Sequence, residues 1–236
     1  MALNKEVFKT RSLTALVFVS VMLLGLLWNK YSFILLFTII HFGCWMEYKQ
    51  LVKKITNKSI YNLLGIFYIS LPVVLMLMLY IQVYNNNQQN LASGSPLIYL
   101  NARVIPIGII LSIWINDTMA YLVGSFIGKT AFSAISPKKT WEGTAGGAIL
   151  CVVIIGLLGY FIPVARVVAV QHWIVIAAIC AIFGTAGDLL ESKIKRLANV
   201  KDSGSFMPGH GGFLDRFDSL LIATPFVWVY VKLFIL

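Results

Sequence analysis

The chain has 236 residues, of which 59% are hydrophobic and 12% charged, with a formal net charge of +10 and a mean hydropathy of +0.84. Apolar runs of membrane length recur along it, which excludes a soluble one- or two-domain protein. Backbone polar groups in hydrocarbon must be satisfied within their own segment, so each run is predicted to be a spanning helix. The runs are continuous rather than alternating, which excludes a β-barrel. The excess of Lys and Arg reads as the charge of cytoplasmic loops, not as a nucleic-acid surface.

Lys5, Lys9 and Arg11 precede the first apolar run, Leu13–Trp28. A basic start also fits a signal peptide, but the run ends in Trp28-Asn29-Lys30 rather than in small cleavable residues, so a retained helix is predicted. A second run, Tyr31–Met46, follows at once and makes a tight hairpin with the first. Lys49, Lys53, Lys54 and Lys58 come next. The third run is Ile60–Tyr84, with a kink expected at Pro72. The uncharged polar stretch 84–96 is expected to be a solvated loop. The fourth run extends from near Arg103 to Gly128 and is interrupted by Asn116-Asp117. A carboxylate at that depth costs about 2.5–3.5 kcal/mol on insertion scales, so Asp117 is expected to face a polar cavity or a partner. A basic loop, Gly128–Gly143, leads to the fifth run, Ala145–Ile162, then the sixth, Val167–Gly187. The seventh is Leu220–Leu236.

With the N-terminus inside and alternating spans, fifteen of the nineteen Lys and Arg fall in cytoplasmic segments, a strong positive-inside asymmetry. The expected architecture is all-α: a polytopic membrane bundle of about seven spanning helices with a polar active site on the cytoplasmic side. Residues 1–102 form N-terminal membrane helices and 103–236 a catalytic membrane region. Cys44, Cys151 and Cys180 lie in apolar runs without metal-ligand spacing and read as core residues. The glycine pairs Gly124/Gly128 and Gly143/Gly147 are expected to serve helix packing, and would also permit a homodimer.

The stretch Gly187–Asp218 inverts the composition: it holds five of the nine acidic residues and five of the nineteen basic ones. Helical continuation to about Ala198 puts Asp188, Ser192 and Lys195 on one face, with Lys193 and Arg196 on its neighbour. Snorkelling explains the cations better than it explains Asp188. Pro208-Gly209-His210-Gly211-Gly212 reads as a sharp turn whose N–H groups suit phosphate; a plain turn fits the same residues, and His210 fits a ligand, a phosphate donor or a turn filler. Asp215 and Asp218 share a helix face, and with Asp188 they suit Mg²⁺, leaving Arg216 for phosphate or a buried acid. A salt-bridge cluster at a helix start is the alternative.

Here the chain resembles the phosphatidate cytidylyltransferases, also called CDP-diglyceride synthetases. The resemblance rests on Ser192 to Asp218, where a Ser-x-apolar-Lys-Arg opening, a Lys-Asp pair, a Pro-x-His-Gly-Gly turn and an Asp-Arg-apolar-Asp end follow at the family's spacing. Met207 stands where the family prefers Leu, Ile or Phe. Asn116–Tyr121 and Ser136–Gly143 share the likeness, which covers roughly residues 103–220; the preceding residues match only as membrane helices. The resemblance implies that CTP and phosphatidate give CDP-diacylglycerol and pyrophosphate, with Mg²⁺ and room for a second cation, in a bacterial inner membrane and as a homodimer. It implies metal ligation by Asp188, Asp215 and Asp218, and phosphate contacts by Lys195, Arg196, Lys201 and Arg216. Ser192, His210, Gly211 and Gly212 line the nucleotide phosphates, Lys138 and Lys139 close the site, and Asp117 projects into it. Cytidylyl transfer to an ether-linked isoprenoid glycerol phosphate and a CTP-dependent lipid kinase are alternatives, and an ion transporter with Asp117 on its path is a remote one.

Overall fold

Apolar periodicity and end signals set where each helix stops. In the computed structural model the described residues are 5–55, 59–90, 96–207, 209 and 211–236, with the backbone alone at 5–9, 11, 84–90 and 96–101. The helices are α1 (Lys5–Leu27), α2 (Lys30–Ile55), α3 (Ile60–Gly65), α4 (Leu71–Asn90), α5 (Pro96–Ile127), α6 (Trp141–Phe161), α7 (Val170–Leu197) and α8 (Leu214–Phe234). A two-stranded hairpin, β1 (Ala131–Ser133) and β2 (Ser136–Thr140), joins α5 to α6. Among the described residues, six helical segments are long and apolar enough to cross a membrane, against the seven or so expected, and Ser12–Leu27, within the first expected span, is a shorter apolar helix. The all-α membrane bundle expected from the sequence is thus observed.

The ends have local causes. Asn29 Oδ1 accepts from Ser32 N at 2.8 Å while Ser32 Oγ accepts from Asn29 N at 3.0 Å. This reciprocal cap turns α1 sharply into α2. A π-turn at Ile66–Ser70 separates α3 from α4 just ahead of Pro72; Pro72 lacks an N–H and crowds the preceding turn, and the wider turn absorbs both defects. Two expectations are corrected. The polar stretch 84–96 is helical through Asn90, and α5 begins at Pro96, with 91–95 outside the described residues; side-chain amides need not break a helix whose backbone bonds continue. Asn116-Asp117 does not interrupt α5, which is one helix through Ile127. The loop 128–143 carries a hairpin that the sequence reading lacks.

Packing brings one end of the bundle together. Gly124, Gly143 and Gly147 let α5 and α6 touch backbone to backbone: a Cβ on Gly147 would lie 2.7 Å from Ala120 N, and one on Gly143 2.9 Å from Gly124 Cα. The glycine faces are therefore spent inside the chain, as small residues commonly are between membrane helices. A single apolar core runs through the bundle, from Phe33 and Phe37 on α2 to Val227 and Val231 on α8. Leu16, Phe126, Tyr160 and Ile182 are among the large apolar side chains left on the outer surface.

Candidate active site

The site grows from a close helix crossing. Gly184 and Gly187 face α8, where a Cβ on Gly187 would lie 2.5 Å from the carbonyl oxygen of Asp218. Only glycine permits that approach, and it sets Asp188 and Glu191 of α7 opposite Asp218 of α8. One oxygen from each of these three carboxylates lies within 4.8 Å of the others. Glu191 and Asp218 are buried.

The cluster faces a cavity of about 400 Å³. Asn116, Asp117, Ala120, Tyr121, Gly124 and Ser125 of α5 form one wall, and Lys138, Lys139 and Thr140 of the hairpin form another. Thr144, Thr185, Asp188, Asp215, Asp218 and Ser219 complete it. The hairpin is braced by Glu142, whose carboxylate accepts from Lys129 N, Thr130 N and Thr130 Oγ1; Thr140 caps α6 by accepting from Gly143 N at 3.1 Å. So held, β2 carries Lys139 into an ion pair with Asp188. Lys138 stays exposed at the rim.

Charge is not balanced there. Asp117, Asp188, Glu191, Asp215 and Asp218 converge, while the lysines among them are Lys138, Lys139 and Lys195. Lys195 Nζ lies 2.6 Å from Asp215 Oδ1 and 2.5 Å from Glu191 Oε2. The Glu191 contact is an ion pair, and both Glu191 oxygens are buried. Buried carboxylates in excess of their cations are expensive. Asp188, Glu191 and Asp218 are therefore the donor set that a hard divalent cation would take.

Of the residues expected from the sequence, Asp117, Lys138, Lys139, Asp188, Asp215 and Asp218 line one cavity. Ser192 Oγ lies 3.5 Å from Asp188 Oδ1. Asp215 differs from its neighbours: its carboxylate accepts from Lys195 Nζ, from Ser203 N at 2.9 Å and from Gly212 N at 2.8 Å. It ties down the loop before α8, and Glu191 completes the carboxylate triangle in its place. Gly212 N is thereby donated within the loop. Gly211, at φ +84°, shapes the turn whose carbonyl accepts from Met207 N. Arg196, Lys201 and Arg216 are exposed and line none of the cavity; Arg196 Nη1 donates to the carbonyl of Val200 at 3.2 Å. His210 lies outside the described residues. Glu191 had a readable signal, three residues after Asp188 on the same helical face.

Residues 101–234 match the model of the Cytidylyltransferase family. The chain is 31% identical over 230 residues to a phosphatidate cytidylyltransferase of Rickettsia typhi, covering 95% of this chain and 92% of that protein. It is 44% identical over 124 residues to the Bacillus subtilis phosphatidate cytidylyltransferase, covering 52% of this chain and 45% of the relative. A chloroplastic phosphatidate cytidylyltransferase 4 of Arabidopsis thaliana is 44% identical over 120 residues, 50% of this chain and 29% of that one. Against these last two, the match spans less than half the length of the relative.

Proposed function

The chain belongs to the Cytidylyltransferase family, and from that premise we propose that it transfers the cytidylyl group of CTP to phosphatidate, forming CDP-diacylglycerol and pyrophosphate. The observation that carries the reading is the cavity itself, where carboxylates of α5, α7 and α8 meet Lys138 and Lys139 at one end of an apolar bundle. A phosphate oxygen of phosphatidate forms a new bond to the α-phosphorus of CTP, and the bond from that phosphorus to the bridging oxygen breaks. Pyrophosphate leaves with the electron pair. The attacking phosphate is already an anion near neutral pH, so no strong base is needed. The site must instead hold two anionic reactants in line and neutralise charge at phosphorus.

Lys138 and Lys139 supply cations on the hairpin wall, free to meet phosphate oxygens once Lys139 exchanges its Asp188 partner. Asp188, Glu191 and Asp218 would hold Mg²⁺, which when bound supplies charge neutralisation to the phosphates. Asp215 and Lys195 keep the loop before α8 in register with this triangle. We read the site as facing the cytoplasm of a bacterial inner membrane, supported by the fifteen Lys and Arg on that side. The homodimer rests on the family resemblance, since the glycine pairs are occupied within the chain.

The test is purified protein in lipid with CTP labelled at either the α- or the γ-phosphate. Label from the α position in a lipid product, dependent on added phosphatidate, is expected. Label from the γ position would make the protein a lipid kinase instead.

A further inference from the structure

A carboxylate outside the matched segment reaches into the site's framework. Glu47 lies on α2, is 6% exposed, and sits among apolar residues of a spanning helix. Its Oε1 accepts from Phe213 N and its Oε2 from Leu214 N, both at 2.9 Å; Oε2 also accepts from Ser203 Oγ at 2.7 Å. These are the first N–H groups of α8, which have no partner within the helix, and the positive end of its dipole favours a carboxylate there. All three partners are donors to a group acting only as an acceptor. The loop is cut to fit: a Cβ on Gly204 or on Gly212 would collide with the Glu47 carboxylate.

We propose that Glu47 is a positioning residue of the transfer reaction, an inter-helix cap that fixes the 203–214 loop and the start of α8 so that Asp218 meets Asp188 and Glu191. The inference rests on the cytidylyl-transfer reading above, and gives the N-terminal helices a part in catalysis. Glu47 is not part of the cavity lining and acts through α8: Asp218 lies one turn after the capped residues, and its carbonyl is already in contact range of the Gly187 position. A shift of the α8 start by a fraction of a turn therefore opens the carboxylate triangle. Ser203 adds a second coupling. Its hydroxyl lies 2.7 Å from Glu47 Oε2 and 3.0 Å from Asp215 Oδ2, so its one proton goes to the nearer, Glu47, while Asp215 takes the Ser203 N–H.

The experiment compares the wild-type chain with Glu47→Gln and Glu47→Asp in lipid nanodiscs by hydrogen exchange, thermal melting and steady-state kinetics. Gln keeps the size but presents an NH₂ group to one of the donors, so exchange across 203–217 is expected to rise about tenfold, with α5 and α6 unchanged. The kcat of the folded fraction is expected to fall by at least about tenfold, with a smaller change in KM for CTP, because a transition-state arrangement rather than ground-state binding is lost. Asp, shorter but still an acceptor, is expected to fall between. A Gln variant with wild-type kcat per folded molecule, or with lost activity but unchanged exchange at 203–217, overturns the proposal. The exchange measurement reads the clamp whether or not CTP is the substrate, so its failure is separable from failure of the functional reading.

Discussion

Asp215 and Asp218 are three residues apart on one helix and do different work. Asp215 accepts from Lys195, Ser203 N and Gly212 N, whereas Asp218 accepts from the N–H of Ser219 at 2.6 Å and turns toward Asp188 and Glu191. Replacing Asp215 with Asn leaves donors without an acceptor, and should cost about 1–3 kcal/mol of stability with faster exchange at 203–212. Replacing Glu191 with Gln gives up the ion pair with Lys195, which keeps Asp215 as its partner, and relieves repulsion in a crowded carboxylate cluster. Without added metal, this variant is expected to melt no lower than wild type. Adding Mg²⁺ should raise the melting temperature of wild type and not that of the Gln variant, since a cation bound only to the native state stabilises it. A Mg²⁺ shift retained in Glu191→Gln and lost in Asp215→Asn would return Asp215 to the ligand set. The sequence shows that both aspartates share a face; it does not show which one the loop consumes, because that depends on where Ser203 and Gly212 fold back.

At the scale of elements, the α7–α8 crossing sets the geometry of the cluster. Gly187→Val would force the helices apart where a Cβ already meets the Asp218 carbonyl. The expected result is a loss of about 1–3 kcal/mol and a loss of turnover out of proportion to it. At Gly156 a Cβ would meet only the Ile174 side chain, at 3.3 Å, so Gly156→Ala should be nearly silent in both melting and turnover assays. The spans were readable because an apolar run of membrane length has one backbone solution, and the glycine pairs because their four-residue spacing marks one helical face. The hairpin was not readable: its strands hold three and five residues and depend on the brace that Glu142 gives to Lys129 and Thr130. Glu47 was hidden for a related reason. Followed by Lys49, it looks like the charged end of a run, whereas α2 continues to Ile55.

Across the whole molecule, the charged segments gather at one end: Lys139 reaches Asp188, and Glu47 reaches Phe213 and Leu214. If that end faces the cytoplasm, a cysteine at exposed Ala134 between the strands reports it. The native cysteines are buried, so Ala134→Cys should take a membrane-impermeant maleimide in inverted vesicles and resist it in intact cells; the opposite pattern reverses the orientation. The same convergence brings Asp117, Lys139 and Asp218 to one cavity despite their separation in sequence. The bundle folds four helices and a hairpin around this polar cavity, and most of the other buried residues described are apolar. The most direct measurement is CDP-diacylglycerol formation from CTP and phosphatidate in nanodiscs, by wild type and by Asp218→Asn, with and without Mg²⁺. Wild type should turn over only with Mg²⁺, and Asp218→Asn should lose at least about a hundredfold in rate while melting as a folded protein. Wild-type turnover by Asp218→Asn would contradict the assignment of the chemistry to this cavity.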